Sequence, residues 1–168
     1  MTQDQIMYQT KHDQCVSLPP DTPLAVSISI IHRLHAIYLN SVLKQINLTA
    51  GQVPFLFQIA HSPGITQDEI AATAHIDKGT VARAVKKIED GGFISRTPDA
   101  LDRRRYHLSL TERGEAAIPL LITATDRAWE DRITSGLSGG ERSQLYEGIR
   151  RLAVNSIETI RVMRGGRA

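Results

Sequence analysis

Apolar residues recur along this chain in two rhythms, one helical and one alternating, and the change between them divides it. Leu24, Ile28, Ile31, His35, Tyr38 and Val42 follow one another at three- and four-residue intervals and predict an amphipathic helix from about Thr22 to Leu43. Thr49 is placed to cap a second helix that buries Val53, Leu56, Phe57 and Ala60 and stops at Ser62-Pro63-Gly64. Thr66-Gln67-Asp68-Glu69 is a capping box, whose hydroxyl and carboxylate satisfy the free amides of a helix start. It opens a short third helix that ends near Ala74. Asp77 caps a fourth, Lys78 to Asp90, which Gly91-Gly92 terminates. The period then changes: Phe93 to Thr97 and Arg104 to Leu110 alternate as strands, joined by the turn-rich Pro98 to Arg103 into a hairpin. Thr111 caps a long fifth helix, Glu112 to about Thr134, with Ala117, Leu120, Leu121, Ala124 and Trp129 on its apolar side. Pro119 lies inside it and predicts a kink, because it lacks a backbone donor and crowds the preceding turn. A second capping box, Ser138-Gly139-Gly140-Glu141, opens a sixth helix that runs to about Met163, followed by a frayed Arg164 to Arg167. Residues 1–21 are polar, carry no periodic pattern and end at Pro19-Pro20, so they are expected to be a mobile arm.

Two short helices joined by a tight turn and followed at once by a hairpin form the layout of a winged helix-turn-helix. The fold expected is therefore mainly α, with a two-stranded β wing. Gln67, Ala71 and Val81 hold the first, fifth and fifteenth places of a twenty-residue unit. The alanine must be small where two helices cross, and the valine must be buried to seat the second helix. Ile70, Ala74, Ile76, Val85 and Ile88 supply the rest of that core. His75 stands at the turn position where glycine is usual, and histidine can enter the left-handed region at some cost.

Composition narrows the function classes. The 168 residues are 41% hydrophobic and 23% charged, the balance of an ordinary globular chain. No apolar run approaches the ~18 residues of a membrane span. The N-terminal stretch carries Asp4, Lys11 and Asp13 and does not read as a secretory signal, so the cytoplasm is the expected location and no membrane partner is expected. The net charge of +2 does not announce a nucleic-acid binder, but the charge is unevenly placed. Asp77 to Arg113 holds nine Lys or Arg and six Asp or Glu, so this segment is +3 and the remainder slightly acidic. With the core inward, the outward face of the fourth helix is Lys78, Gly79, Thr80, Ala82, Arg83, Lys86 and Lys87. Arg and Lys suit guanine edges or phosphates, Thr suits either, and the small residues allow close approach to the major groove. A solvated basic face is the competing reading. The capping box before it and the hairpin after it favour DNA.

The stretch from Leu48 to Gly114 resembles the multiple antibiotic resistance regulator (MarR) family. The resemblance is carried by LTAGQVPFLFQIAHSPGITQDEIAATAHIDKGTVARAVKKIEDGGFISR, then Asp102-Arg103-Arg104-Arg105 in the hairpin, then Leu108-Ser109-Leu110-Thr111-Glu112-Arg113-Gly114 entering a helix. The flanking helices agree in number and length, so it extends over about Pro23 to Met163. It implies a homodimeric winged-helix regulator, a ligand-responsive repressor foremost, bound to a pseudo-palindromic duplex site. By the same resemblance residues 22–47 and 112–168 hold the dimerisation helices and residues 48–111 the DNA-binding domain. Thr66 and Gln67, then Lys78, Gly79, Thr80, Arg83 and Lys86, then Arg96, Asp102, Arg103 and Arg104, are the implied DNA-contacting set. The fourth helix would enter the major groove, and Arg103 or Arg104, oriented by Asp102, would reach a minor groove. An ion pair at the hairpin tip without any DNA role is the alternative for Asp102 and Arg104. His35 and Tyr38 would line a cleft for a small aromatic or phenolic effector.

Four rival readings stand beside this one. Cys15 invites a redox-sensing regulator, but a reactive thiol needs a helix N-terminus, a cation or a hydrogen-bond network to lower its pKa, and the polar arm offers none. His32 and His35 stand one helical turn apart, yet no local carboxylate or histidine partner accompanies them, so a core or interface histidine is favoured over a metal ligand. His61 and His107 read as solvated or hydrogen-bonded without function. There is no phosphate-binding G-x-x-x-x-G-K, no G-x-G-x-x-G, no H-E-x-x-H and no G-x-S-x-G, and Ser41-Val42-Leu43-Lys44 matches S-x-x-K without its partner motifs. Neither an enzyme nor a cofactor is expected. The last alternative is a winged-helix module that binds only other proteins, which salt-dependent DNA binding would separate from a regulator.

Overall fold

A computed structural model of the chain describes residues 18–102 and 104–165, so Cys15, most of the expected arm, Arg103 and residues 166–168 lie outside the described residues. Helix α1 (Leu24–Leu43) starts directly after Pro23, and a 3₁₀ turn over Lys44–Ile46 follows it, closed by Asn47 in the left-handed region at φ 59°. Thr49 does cap, but its box with Gln52 holds a second 3₁₀ turn, Ala50–Gln52, from which α2 (Val53–His61) continues. Phe55 and Ile59 of α2 are buried while Phe57 and Ala60 are only half-buried, because β3 and α5 pack on this helix as well and widen its buried side.

The helix-turn-helix forms as its caps dictate. Thr66 and Glu69 close the capping box on α3 (Gln67–Ala74), with Glu69 Oε2 accepting from the Thr66 amide and hydroxyl, each at 2.8 Å. His75 takes the left-handed turn at φ 55°. Asp77 Oδ1 then accepts the Thr80 amide at 2.8 Å and starts α4 (Lys78–Asp90). Ile70, Ala71, Val81, Val85 and Ile88 are buried between the two helices, and Ala74 and Ile76 are half-buried at the edge. A buried side chain of this size contributes ~1.5 to 3 kcal/mol relative to exposure.

The wing differs from the expected two-stranded hairpin. A strand of two residues, β1 (Ile65–Thr66), pairs with β3 (Tyr106–Leu110), so the antiparallel sheet has three strands in the order β1-β3-β2, with β2 at Ile94–Pro98. Thr66 and Thr97 both stand opposite His107 in register, one on each side. Arg104 and Arg105 belong to the tip rather than to the strand, since the Arg105 amide donates to the Asp102 carbonyl at 2.8 Å.

The fifth helix is also not continuous. Helix α5 (Glu112–Ile122) passes into a π-helical segment, Thr123–Trp129, and then a last turn, α6 (Glu130–Ile133). The break therefore starts beyond Pro119, where the Thr123 and Thr125 hydroxyls donate back to the carbonyls of Pro119 (3.0 Å) and Leu121 (2.8 Å) and compete with the helical ladder. Helix α7 follows the Ser138–Glu141 capping box and spans Gly139–Gly165, two residues past its expected end. Apart from half-buried Arg142 and Tyr146, every side chain from Glu141 to Met163 is exposed.

Candidate nucleic-acid interface

On the outward face of α4, Lys78, Lys86 and Arg83 are each held by a carboxylate or hydroxyl of their own neighbourhood. Lys78 Nζ lies 2.9 Å from Asp68 Oδ1 of α3, and Lys86 Nζ lies 3.2 Å from Asp90 Oδ1 one turn on. Arg83 Nη2 donates to Thr80 Oγ1 at 2.9 Å, and Thr80 in turn gives its amide to Asp77. Hydrogen bonding with Thr80 holds the Asp77 carboxyl below its ordinary range. All four ion-pair members are well exposed, so the pairs stabilise little and a phosphate can replace the carboxylate. Arg83 is different: its fork is pre-set on the helix surface by Thr80. A Cβ on Gly79 would come within 3.2 Å of Asp77 Oδ1 and 3.4 Å of Arg83 Nη1, so glycine leaves room for that arrangement.

The wing tip is organised by backbone hydrogen bonds to two carboxylates. Asp99 Oδ1 accepts the amides of Leu101 (2.8 Å) and Asp102 (2.9 Å), and Asp102 Oδ1 accepts the amide of Arg104 (3.0 Å). Asp102 thus positions Arg104 through its backbone, while the Arg104 side chain is exposed. The Asp99 pKa lies at about 2, drawn down first by the Asp102 amide, then by the His107 ring, then by the Leu101 amide.

Between the start of α3 and the wing lies a cleft of about 250 Å³ walled by Thr66, Gln67, Asp68, Arg96, Arg104, Arg105 and Tyr106. Three guanidinium groups against one carboxylate make it an anion-favouring space. Two residues of the expected set are placed differently from an outward-facing contact. Thr66 is buried with its hydroxyl committed to the capping box, and Arg96, half-buried, has its Nε 2.8 Å from Glu89 Oε2. Both shape the cleft from within. Asp68, Arg105 and Tyr106 were not singled out by sequence, because it is folding that sets the beginning of α3 against the wing.

A second cleft, of about 460 Å³, opens between α1 and the start of α2, lined by His32, His35, Ala36, Leu39, Ala50, Gly51, Val53, Pro54, Phe57 and Thr125. Its wall is mostly apolar. His35 Nε2 is buried there without a hydrogen-bond partner among the described residues, and burial, with His32 beside it, lowers the His35 pKa. The His35 ring stacks 5.3 Å from Trp129 of the π segment. Tyr38 does not line the cleft. Its half-buried ring packs against the same Trp129, 5.2 Å away.

Known proteins share both the sequence and the shape of this arrangement. The MarR family model matches residues 46–105, which is the second helix, the helix-turn-helix and the wing as far as its tip, short of β3. An uncharacterized helix-turn-helix-type transcriptional regulator of Bacillus subtilis (strain 168), YybA, is 34% identical over 116 residues, 69% of this chain and 77% of its own. A crystal structure of MarR superposes with a TM-score of 0.79 at 40% identity, covering 85% of this chain and 97% of that one. A mutant MarR from E. coli complexed with operator DNA shares the fold, with a TM-score of 0.69 at 23% identity over 78% of this chain and 94% of that one. Similarity at this level, over the helix-turn-helix, the wing and both flanking helical segments, shows that the chain belongs to the MarR family of helix-turn-helix transcriptional regulators.

Proposed function

We propose that the protein is a homodimeric, ligand-responsive repressor that acts in the cytoplasm on a pseudo-palindromic duplex site. The observation that carries the reading is the exposed basic face of α4 together with an arginine-bearing wing, which closes an anion-favouring cleft against the start of α3. Residues 48–111 are the DNA-reading unit, and residues 22–47 and 112–168 supply the dimer. On DNA, Lys78 and Lys86 exchange their carboxylates for phosphates, Arg83 forks onto a base edge, and Arg104 enters the minor groove beside the wing. Arg83→Ala should weaken binding by ~1 to 3 kcal/mol and relax base preference at one position in each half-site. Arg104→Ala should weaken binding to all sequences and lessen any preference for A·T-rich flanks. It should also flatten the salt dependence by about one unit of slope for each phosphate that Arg104 neutralises. Isotherms at several salt concentrations on matched and scrambled sites test both. Equal affinity and slope for Arg104→Ala and the parent would remove the wing from the interface.

Dimerisation is supported by where the exposed apolar side chains are. Leu24, Ile28 and Ile31 on α1 and Leu145, Ile149, Leu152, Ile157 and Ile160 on α7 are all more than 40% exposed in the single chain. Stripes of this extent on two terminal helices need a covering layer, and a second copy supplies one.

The apolar cleft at His35 suits a small aromatic or phenolic effector, which would lie between α1 of the dimer and α2, the first helix of the DNA-reading unit. Trp129 is the single tryptophan and touches His35, so its fluorescence reports on that cleft. Small aromatic or phenolic compounds should quench it saturably and weaken DNA binding. His35→Ala should reduce both effects, and an unchanged response in that variant would take the effector out of this cleft.

A further inference from the structure

His107 sits where the two DNA-reading elements meet. Its Nδ1 lies 2.7 Å from the carbonyl of Gly64, in the turn that leads through β1 into α3, and its Nε2 lies 2.8 Å from Asp99 Oδ2 at the wing tip. A carbonyl only accepts, and Asp99, with its pKa at about 2, is a carboxylate that only accepts. Both contacts are hydrogen bonds only when both ring nitrogens carry hydrogen, which is the imidazolium form. The neutral ring keeps one bond and turns a lone pair toward a carboxylate or a carbonyl.

The ring is also the first link of a chain that ends at Arg104. Asp99, held by His107 through one oxygen, organises Leu101 and Asp102 through the other, and Asp102 fixes the Arg104 amide. The Asp99 amide closes the same loop on the Arg105 carbonyl at 3.0 Å. Leu101, beside Asp102 at the tip, is fully exposed and packs on nothing that could hold the tip in its place. We propose that His107, as an imidazolium, is the positioning residue that holds the wing tip in its DNA-binding form, so that affinity for duplex DNA falls when this side chain loses its proton. This control rests on the DNA-binding reading above and adds to it.

The charged groups around the ring act in opposite senses, and those that favour the cation prevail. Asp99 faces it from the tip and favours the cation; Arg105, from the other limb of the tip, opposes it; and Glu69 of α3 lies close enough that the ring and Arg105 both lower its pKa. The β2 residue opposite, Thr97, carries no charge. The net effect raises the His107 pKa above 6.5, through the Gly64 carbonyl first and Asp99 second. The clamp is complete below the ordinary histidine value and is lost as pH rises through the raised one. At the acid end it fails only as Asp99 is protonated, at about 2.

The test uses the full chain and a duplex taken from the DNA flanking its own gene, with affinities measured from about pH 5.5 to about 8.5 at fixed ionic strength, across the histidine range. The parent should lose about tenfold in affinity as pH rises, roughly what one charge-assisted hydrogen bond carries. His107→Gln should bind like the high-pH parent throughout, with that step removed. Asp99→Asn should move the step to lower pH. In the parent, ring signals of His107 and the amide signals of Leu101, Asp102 and Arg104 should titrate together without DNA. The same pH profile for parent and His107→Gln, or wing amides that ignore the ring, would overturn the inference and leave the DNA-binding reading standing. Absence of binding by the parent at every pH would overturn that reading and this inference with it.

Discussion

Gly114→Ala is expected to destabilise the protein by ~1 to 3 kcal/mol, although alanine is the better helix former by about 1 kcal/mol. Gly114 is buried in the first turn of α5, and a Cβ there would clash with the Phe93 carbonyl oxygen, far inside van der Waals contact distance, and come within 3.2 Å of Leu110 Cδ2. The obstacle is backbone, which cannot swing aside. That carbonyl also accepts the Thr111 amide at 3.0 Å, and the Thr111 hydroxyl donates to the Gly92 carbonyl at 2.6 Å while accepting the Gly114 amide at 3.1 Å. Moving Gly114 away therefore loosens the cap of α5 and the entry to β2 together. Arg113, stacked 4.5 Å over the Phe93 ring, shares the same joint. Gly140→Ala, in a first turn with open space around it, should be neutral or stabilising by up to ~1 kcal/mol. Urea unfolding of both variants at one protein concentration checks the contrast. Equal midpoints for Gly114→Ala and the parent would mean that α5 does not dock on the wing as described.

The double variant Ile28→Glu, Ile149→Glu should be a folded monomer that binds its operator about 10² to 10⁴ times more weakly than the parent. Both isoleucines are about half exposed in the single chain, so a carboxylate at either place is solvated and leaves the core intact. In the dimer the same carboxylates would be buried without partners. Without the partner, each half-site is held by a single winged domain, and the effective concentration that couples the two half-sites disappears. Light scattering gives the mass and far-ultraviolet circular dichroism the fold. A persistent dimer, or a monomer with parental affinity, would refute the assignment of α1 and α7 to the dimer.

What the sequence made legible is what short-range chemistry decides. The capping boxes at Thr66–Glu69 and Ser138–Glu141, the Asp77 and Thr111 caps, and the bounds of α4 all involve groups three or four residues apart, and all form as expected. Even the left-handed His75 was legible as a turn in which glycine is missing. β1 was not, because two residues have no alternation to show and Ile65 owes its strand geometry to Leu108, far along the chain. The π segment was half legible: Pro119 marked the helix as imperfect, but the place of the break depends on threonine hydroxyls and on Trp129 packing against His35 and Tyr38.

The candidate site divides along the same line. Lys78, Gly79, Thr80, Arg83 and Lys86 fall on one helix face by periodicity alone, and the structure leaves that face outward. Asp68, which pairs with Lys78, and Arg105 and Tyr106, which complete the cleft, become neighbours only when α3 and the wing meet. His107 looked inert in the sequence because its two partners, Gly64 and Asp99, are 43 and 8 residues away.

If a two-fold dimer reads duplex DNA with α4 and the wing, footprinting of the purified protein on the DNA flanking its own gene should show it. Two protected half-sites are expected, inverted repeats of each other, centred about 10 to 10.5 base pairs apart on one face of the duplex, with protection retreating as salt rises. Sequence-independent protection, or none at concentrations where the protein is dimeric, would contradict that mode of binding.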